Sequence, residues 1–374
     1  MFNLKEKITS KKTYLCILKI VISLGLLFLF LASVTMMSSG FKMLGSQYIG
    51  LIYNSISNPL FGLLLGVFST VLVQSSSVTT SITVGLVSAG VLNLSCAVGV
   101  VMGANIGTTI TNTIVSIAYI KDKEKFKRVF PSAIIHDVFN ICSVLILFPI
   151  ELATGFLRKI STYTAGLLYG FDFNLSYKSP IKSYIKIPFK TIKDFLSYLD
   201  ISNNISAIII ILISLFLIVF SLILVTRLMN NAITPFLKEH VNNINNNVFS
   251  LILFGIITTA CVQSSSIVTS LIIPVVGSGA MNIYTAFPIT LGANIGTTVT
   301  AILASMSGNI SGLIIALVHL YFNIIGTCMV LLVKDKFIKF VQYISDSILK
   351  NRLMAVLYLI SIFSLAGLLC LIVF

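Results

Sequence analysis

Gln74-Ser-Ser-Ser77 stands in a chain that is mostly oil, and it is written again as Gln263-Ser-Ser-Ser266, 189 residues later. The same displacement relates Gly103-Ala-Asn-Ile-Gly-Thr-Thr109 to Gly292-Ala-Asn-Ile-Gly-Thr-Thr298, so the two motifs share one register. A third pair, His136-Asp-Val-Phe-Asn140 and His319-Leu-Tyr-Phe-Asn323, fits His-x-x-Phe-Asn at a displacement of 183, which puts the six missing residues in one connection. Self-similarity at a fixed displacement means that one structural unit is used twice.

The solvent of that unit follows from composition. Hydrophobic residues fill 57% of the 374 positions and charged residues 10%, with a mean hydropathy of +1.04, a balance that excludes an ordinary water-solvated globule. The runs Tyr14 to Met37, Ile205 to Val225 and Met354 to Phe374 approach or exceed the roughly 20 apolar residues that cross a bilayer. The first is too long for a signal-peptide core and is read as a retained helix. The net charge of +14 does not point to nucleic acid, because the lysines lie in short stretches between apolar runs, as the positive-inside rule requires. Lys5, Lys7, Lys11 and Lys12 put the N-terminus in the cytoplasm, with Lys121 to Arg128, Arg227 to His240 and Lys334 to Lys339 on the same side. The six cysteines fall in apolar segments without metal-pair spacing and are read as packing residues.

Charge also orients the repeats. The first carries Lys121-Asp-Lys-Glu-Lys-Phe-Lys-Arg128 where the second has the uncharged stretch around Ser305 to Ser311, as expected if one lies inside and the other outside. Asn58 and Pro59 interrupt the approach to Gln74, Pro274 and Gly277 follow Gln263, and the intervening apolar runs are too short to cross twice. The expected fold is therefore an all-α polytopic membrane protein with two inverted-topology repeats, each holding a re-entrant helical hairpin (roughly 50–82 and 247–278) that carries the Gln-Ser-Ser-Ser motif. Kinked spanning helices are the alternative. The expected division is an N-terminal tail and first helix (1–40), repeat one (41–154), an extracellular inter-repeat loop (155–204), repeat two (205–335), and a cytoplasmic connector with a C-terminal helix (336–374).

A buried hydroxyl or amide without a partner costs on the order of 2 to 7 kcal/mol, so clusters of Gln, Ser, Thr and Asn at two symmetric places require partners. Gln74, Ser75, Ser76 and Ser77, with Gln263, Ser264, Ser265 and Ser266, offer hydroxyl donors and carboxamides beside interrupted helices, an arrangement suited to a tetrahedral oxyanion held without arginine. Asn105, Thr108, Thr109, Asn294, Thr297 and Thr298 offer oxygen to a hard cation, with backbone carbonyls freed in a glycine-rich unwound turn; Gly-x-x-x-Gly spacing also permits close helix packing. Asp137 is an acid inside an apolar segment and hence a functional-site hypothesis by default. Its copy is Leu320, so it supplies a cation site to one repeat alone, with Asn140 near it on the helix. His136 and His319 are read as satisfied structural donors in preference to proton relays.

These residues, together with Gly103 to Val115, Ala133 to Asn140 and Leu317 to Ile324, resemble the type II sodium-dependent phosphate cotransporter family in a bacterial-type form, over about residues 50 to 360. The resemblance implies a plasma-membrane, multi-pass importer of inorganic phosphate that moves sodium as co-transported ion, needs no cofactor and is not an enzyme. It implies that the paired serine motifs are phosphate and sodium ligands, that Asp137 marks an electrogenic member, and that Thr113, Asp122 and Asn140 lie around sodium, with Asn323 as the second-repeat counterpart of Asn140. Departures are Tyr119 in place of a glutamine, Ala293 in place of a serine, and an external loop without cysteines. If three sodium ions accompany HPO₄²⁻, one net charge enters per cycle, worth about 2.3 kcal/mol per 100 mV. An exporter, a carrier of another oxyanion, a channel and an intramembrane hydrolase are the competing readings. The last is disfavoured because adjacent His136 and Asp137 point in different directions on one helix and no nucleophile elbow is present.

Overall fold

The computed structural model describes residues 2–45, 58–170, 180–240 and 247–349, with Met354, Leu357 and Tyr358. These residues are helical throughout, without strands, and six helical stretches are long and apolar enough to cross a membrane: Val21–Met43, Leu94–Ile117, Lys123–Thr154, Asn203–Asn230, Ile283–Met306 and Ile310–Leu332. Their outward surfaces carry Leu145, Leu212 and Phe216 at 60% exposure or more, a belt whose natural solvent is lipid. The chain is an all-α polytopic membrane protein.

After the long first helix α1 (Phe2–Met43), each repeat opens with two short helices: α2 (Pro59–Val73) and α3 (Ser76–Ala89) in the first, α11 (Val248–Val262) and α12 (Ser265–Gly277) in the second. They start alike. Asn58 accepts the Leu60 N–H at 2.8 Å and Asn247 the Phe249 N–H at 3.0 Å, the usual N-cap device. They break alike too. Gln74 and Gln263 sit in the left-handed region at φ 56° and 59°, followed by extended Ser75 and Ser264. Glutamine is an unusual residue there, but each side-chain Nε2 donates to a carbonyl three residues back, Val71 and Ala260, at 2.6 Å, which satisfies a helix-end acceptor. The first hairpin runs to Ala89, seven residues beyond the expected limit, and its hydroxyls from Thr79 to Thr83 bond to carbonyls one turn back, as with Thr80 to Ser76 and Ser81 to Ser77.

The glycine-rich motifs are not unwound turns. Gly103 lies in α4 (Leu94–Thr108), which bends at Thr109 into α5 (Ile110–Ile117), and Gly292 to Thr298 lies inside the unbroken α13 (Ile283–Met306). The glycines serve packing. A Cβ on Gly103 would strike the Leu63 carbonyl of α2, and one on Gly292 the Ile252 carbonyl of α11, positions themselves 189 residues apart. Each hairpin is thereby seated backbone against backbone on the helix that follows it.

Helices α6 (Lys123–Thr154) and α14 (Ile310–Leu332) complete the repeats. The open end of the first hairpin lies by the start of α14, where Asn309 donates to the Ser88 carbonyl at 3.1 Å, and that of the second lies by α6, where Ile273 packs on Val129 and Ala133. The tips meet between them, with the Ser77 hydroxyl donating to the Gln263 carbonyl at 3.2 Å. The hairpins thus point at each other from opposite ends.

The stretch expected as a loop is largely helical: α7 (Phe156–Gly170), α8 (Pro180–Ile185) and α9 (Ile187–Tyr198) precede α10 (Asn203–His240). Its apolar residues recur at helical spacing, so Leu157, Ser161 and Ala165 are fully buried while the facing side is open; no run is long enough to betray a spanning helix. Glu151 accepts the Leu157 N–H at 2.7 Å and sets the corner between α6 and α7. Helix α15 (Lys334–Leu349) follows α14, and most of the expected C-terminal helix lies outside the described residues.

Candidate functional site

The two serine turns sit in one place but in different surroundings. A cavity of about 510 Å³ is walled by Gln74, Ser75 and Thr111 from repeat one, by Gln263, Ser264, Ser266 and Ser270 from repeat two, and by the Leu222 to Asn230 stretch of α10. Gln74 is exposed to it, whereas Gln263 is 6% exposed. Ser76, Ser77 and Ser265 are buried behind the cavity wall.

Each glutamine carbonyl has a threonine partner that the sequence reading missed. Thr111 donates to Gln74 Oε1 at 3.0 Å, and Thr300 to Gln263 Oε1 at 2.7 Å. Thr111 and Thr300 obey the 189-residue displacement, the signal that could have found them. On the buried side Thr300 also reaches the Ser77 hydroxyl at 3.4 Å, so Ser77, Gln263 and Thr300 close on one another. No corresponding bond joins Ser266 to Gln74 among the described residues; the cavity occupies that gap. The expectation of a site without arginine is corrected here, since α10 brings exposed Arg227 to the cavity wall with no carboxylate beside it among the described residues.

Behind the turns the repeats are cross-braced. His136 Nε2 lies 3.0 Å from Asn294 Oδ1, and His319 Nε2 lies 3.4 Å from Asn105 Oδ1. Each histidine therefore serves the asparagine of the other repeat, which matches a structural-donor role: an amide oxygen only accepts, so the ring nitrogen donates. Asn140 joins the braces, accepting from Asn294 Nδ2 at 2.8 Å and donating to the Asn105 carbonyl at 3.0 Å. Its counterpart Asn323 donates to the His319 carbonyl at 3.0 Å, and its own Oδ1 has no partner among the described residues.

Asp137 is 1% exposed. Its Oδ2 accepts from Thr113 at 2.9 Å and from Tyr358 at 3.0 Å, and its Oδ1 has no donor among the described residues. A buried carboxylate oxygen left bare is costly unless a cation or proton meets it. The second repeat has Leu320 and Ile302 at the places of Asp137 and Thr113, so acid and hydroxyl partner are replaced together by apolar residues.

The remaining expected ligands are less convergent. Thr108, Thr109, Thr297 and Thr298 donate to carbonyls of their own helices, Ala104, Ile106, Ala293 and Ile295, at 2.7 to 3.1 Å. Asp122 stands apart at the surface, capping α6 through the Lys125 N–H at 3.1 Å and pairing with the Lys125 ammonium; that N–H holds its carboxyl below the ordinary range. Asn112 was not anticipated either: its Oδ1 accepts from Thr269 at 2.9 Å and Ser270 at 3.1 Å, tying α5 to α12.

Residues 29–172 and 215–357 match the family described as Na+/Pi-cotransporter, each segment holding one copy of all three motifs. Sodium-dependent phosphate transport protein 2A of Rattus norvegicus is 32% identical over 397 residues, covering 87% of this chain and 62% of that protein. Sodium-dependent phosphate transport protein 2B of Homo sapiens is 32% identical over 402 residues, covering 82% and 58%. The chain spans about three-fifths of the length of these curated relatives. No solved structure matches it. With both repeats matched as separate segments, the chain belongs to the Na+/Pi-cotransporter family.

Proposed function

We propose that this chain is a secondary active transporter of the plasma membrane that imports inorganic phosphate with sodium, by alternating access around the two serine turns. The observation that carries this reading is the unequal closure of two equivalent turns: Ser77 is sealed on Gln263, while the equivalent gap between Ser266 and Gln74 is open cavity. An inverted pair with one side shut and the other open is what alternating access asks of a single conformer. In the opposite conformer Ser266 closes on Gln74, Thr111 plays the part of Thr300, and Ser77 parts from Gln263.

Phosphate is held by the hydroxyls and carboxamides of Gln74 to Ser77 and Gln263 to Ser266, with Arg227 drawing it into the cavity. Sodium is held where buried oxygen lacks a donor, at Asp137 Oδ1 and Asn323 Oδ1, with Thr113, Asn140 and the Asn105 and Asn294 clusters around it. Both hairpins are re-entrant, the N-terminus is cytoplasmic, and the segments are the tail and first helix to residue 40, repeat one to 154, an external linker to 204, repeat two to 335, and the remainder. The names of the relatives, sodium-dependent phosphate transport proteins, support the substrate and its coupling ion.

The test is uptake of radiolabelled phosphate into proteoliposomes with and without an inward sodium gradient. Saturable accumulation above equilibrium that needs the gradient is expected. Accumulation without sodium, or uptake of sulfate in place of phosphate, overturns the reading in favour of another oxyanion carrier, and transport driven only outward makes it an exporter.

A further inference from the structure

The crevice at the end of the molecule farthest from the Lys121 to Arg128 connection has a chemistry of its own. About 330 Å³ of space lies between α1, the end of α3, the junction of α8 and α9, and the start of α14. Lys42 and Lys186 line it, both exposed and without an ion pair among the described residues. Ser38, Ser39 and Ser88 add hydroxyls. Ser88 is 3% exposed, and its Oγ has no hydrogen-bond partner among the described residues. Asn309 completes the wall and caps α14 by accepting the Gly312 N–H at 3.2 Å, so the positive end of a 23-residue helix opens there. Among the described residues no carboxylate lines the crevice.

The pseudo-symmetric crevice at the other end also holds two exposed cations, Lys127 and Arg128, and a helix-capping asparagine, Asn282. Glu124 stands among its cations, and the place of Ser88 is taken by Gly277. What sets the Lys42–Lys186 crevice apart is a pair of cations without a carboxylate among them and a buried hydroxyl where the other end has glycine. We propose that the Lys42–Lys186 crevice is a second oxyanion site, separate from the serine turns, that takes a divalent tetrahedral anion such as phosphate or sulfate. Ser77 and Ser88 are eleven residues apart on one helix, on the order of 16 Å at the α-helical rise, so the site is distinct from the central one. That it faces outside, where it would gather phosphate ahead of the closed turn, rests on the orientation proposed above; its capacity to hold an anion does not.

Equilibrium binding of radiolabelled orthophosphate to the detergent-purified full chain, at low ionic strength with and without sodium, tests this. A sodium-independent component that sulfate displaces is expected beside the sodium-dependent one. The exposed pair Lys42→Gln with Lys186→Gln should weaken that component at least about fivefold, Ser88→Ala about threefold, and Lys42→Arg by less than about twofold, the sizes expected for charge-assisted hydrogen bonds; sodium-dependent binding should stay unchanged. Absence of the sodium-independent component, or its survival in the double variant, overturns the proposal. Its presence and lysine-dependence in a protein with no sodium-dependent binding supports the crevice while refuting the transport reading.

Discussion

The two serine turns are alike in sequence and backbone angles, yet Ser75 caps its helix through the Val78 N–H while Ser264 makes no side-chain cap, and the glutamine is exposed in one turn and covered in the other. Gln74 faces a cavity and Gln263 is covered by Ser77, although both sit near φ 57° with the same threonine partnership. Local sequence thus sets the shape of each turn, and the approach of the opposite repeat sets its exposure. The acid site differs in another way. Asp137 and Thr113 face Leu320 and Ile302 across the symmetry, so that asymmetry is written into the residues and persists in every conformer.

The permanent asymmetry predicts the largest effect. Asp137→Gly should abolish phosphate-evoked current in a voltage-clamped membrane while leaving part of the uptake, since one charge-bearing cation site is lost and the serine turns remain. Unchanged current would erase the distinction between the repeats. Next come the cross-braces. Asn294→Leu strips His136 and Asn140 of short partners, at about 2 kcal/mol for each group stranded. Asn105→Leu takes a longer contact from His319 and spares the backbone bond to Asn140, so it should cost about half as much. Unfolding midpoints in detergent measure both, and equal losses would contradict the geometry.

The expectation of inversion came from charge on one of two equivalent connections, and the repeats were legible because two motifs recur 189 residues apart and a third 183 apart. The crossed braces were not, since His136 and Asn294 are 158 positions apart and no single-chain periodicity brings them together. Gly103 and Gly292 misled for a definite reason: glycine beside asparagine and threonine suits an unwound turn, but here the missing Cβ admits the carbonyls of Leu63 and Ile252, and the helix stays intact. Helices α7 to α9 were hidden because amphipathic helices lying against a bundle need only one apolar face. Thr111 and Thr300 obey the same 189-residue displacement, but a threonine within an apolar helix is ordinary packing glue and carries no signal of its own.

Two smaller effects sharpen the contrast between open and sealed turns. A water-soluble maleimide should label Gln74→Cys roughly tenfold faster than Gln263→Cys, a ratio equivalent to about 1.4 kcal/mol between accessible and covered states. Equal rates would mean that the two closures interconvert freely. Thr300→Val removes a fully buried hydroxyl with two partners and should lower stability by about 1 kcal/mol, against a few tenths for the half-exposed Thr111→Val. Calorimetric midpoints in detergent separate them, and a larger loss at Thr111 would reverse the assignment.

The braces also carry a symmetry. His136 on Asn294 and His319 on Asn105 have the reciprocal form of a contact between two identical subunits, in which residue i meets j and j meets i. A symmetric pair of identical halves carries an acid on both sides or on neither; two halves within one chain can differ, as Asp137 opposite Leu320 does, while the braces keep their reciprocal form.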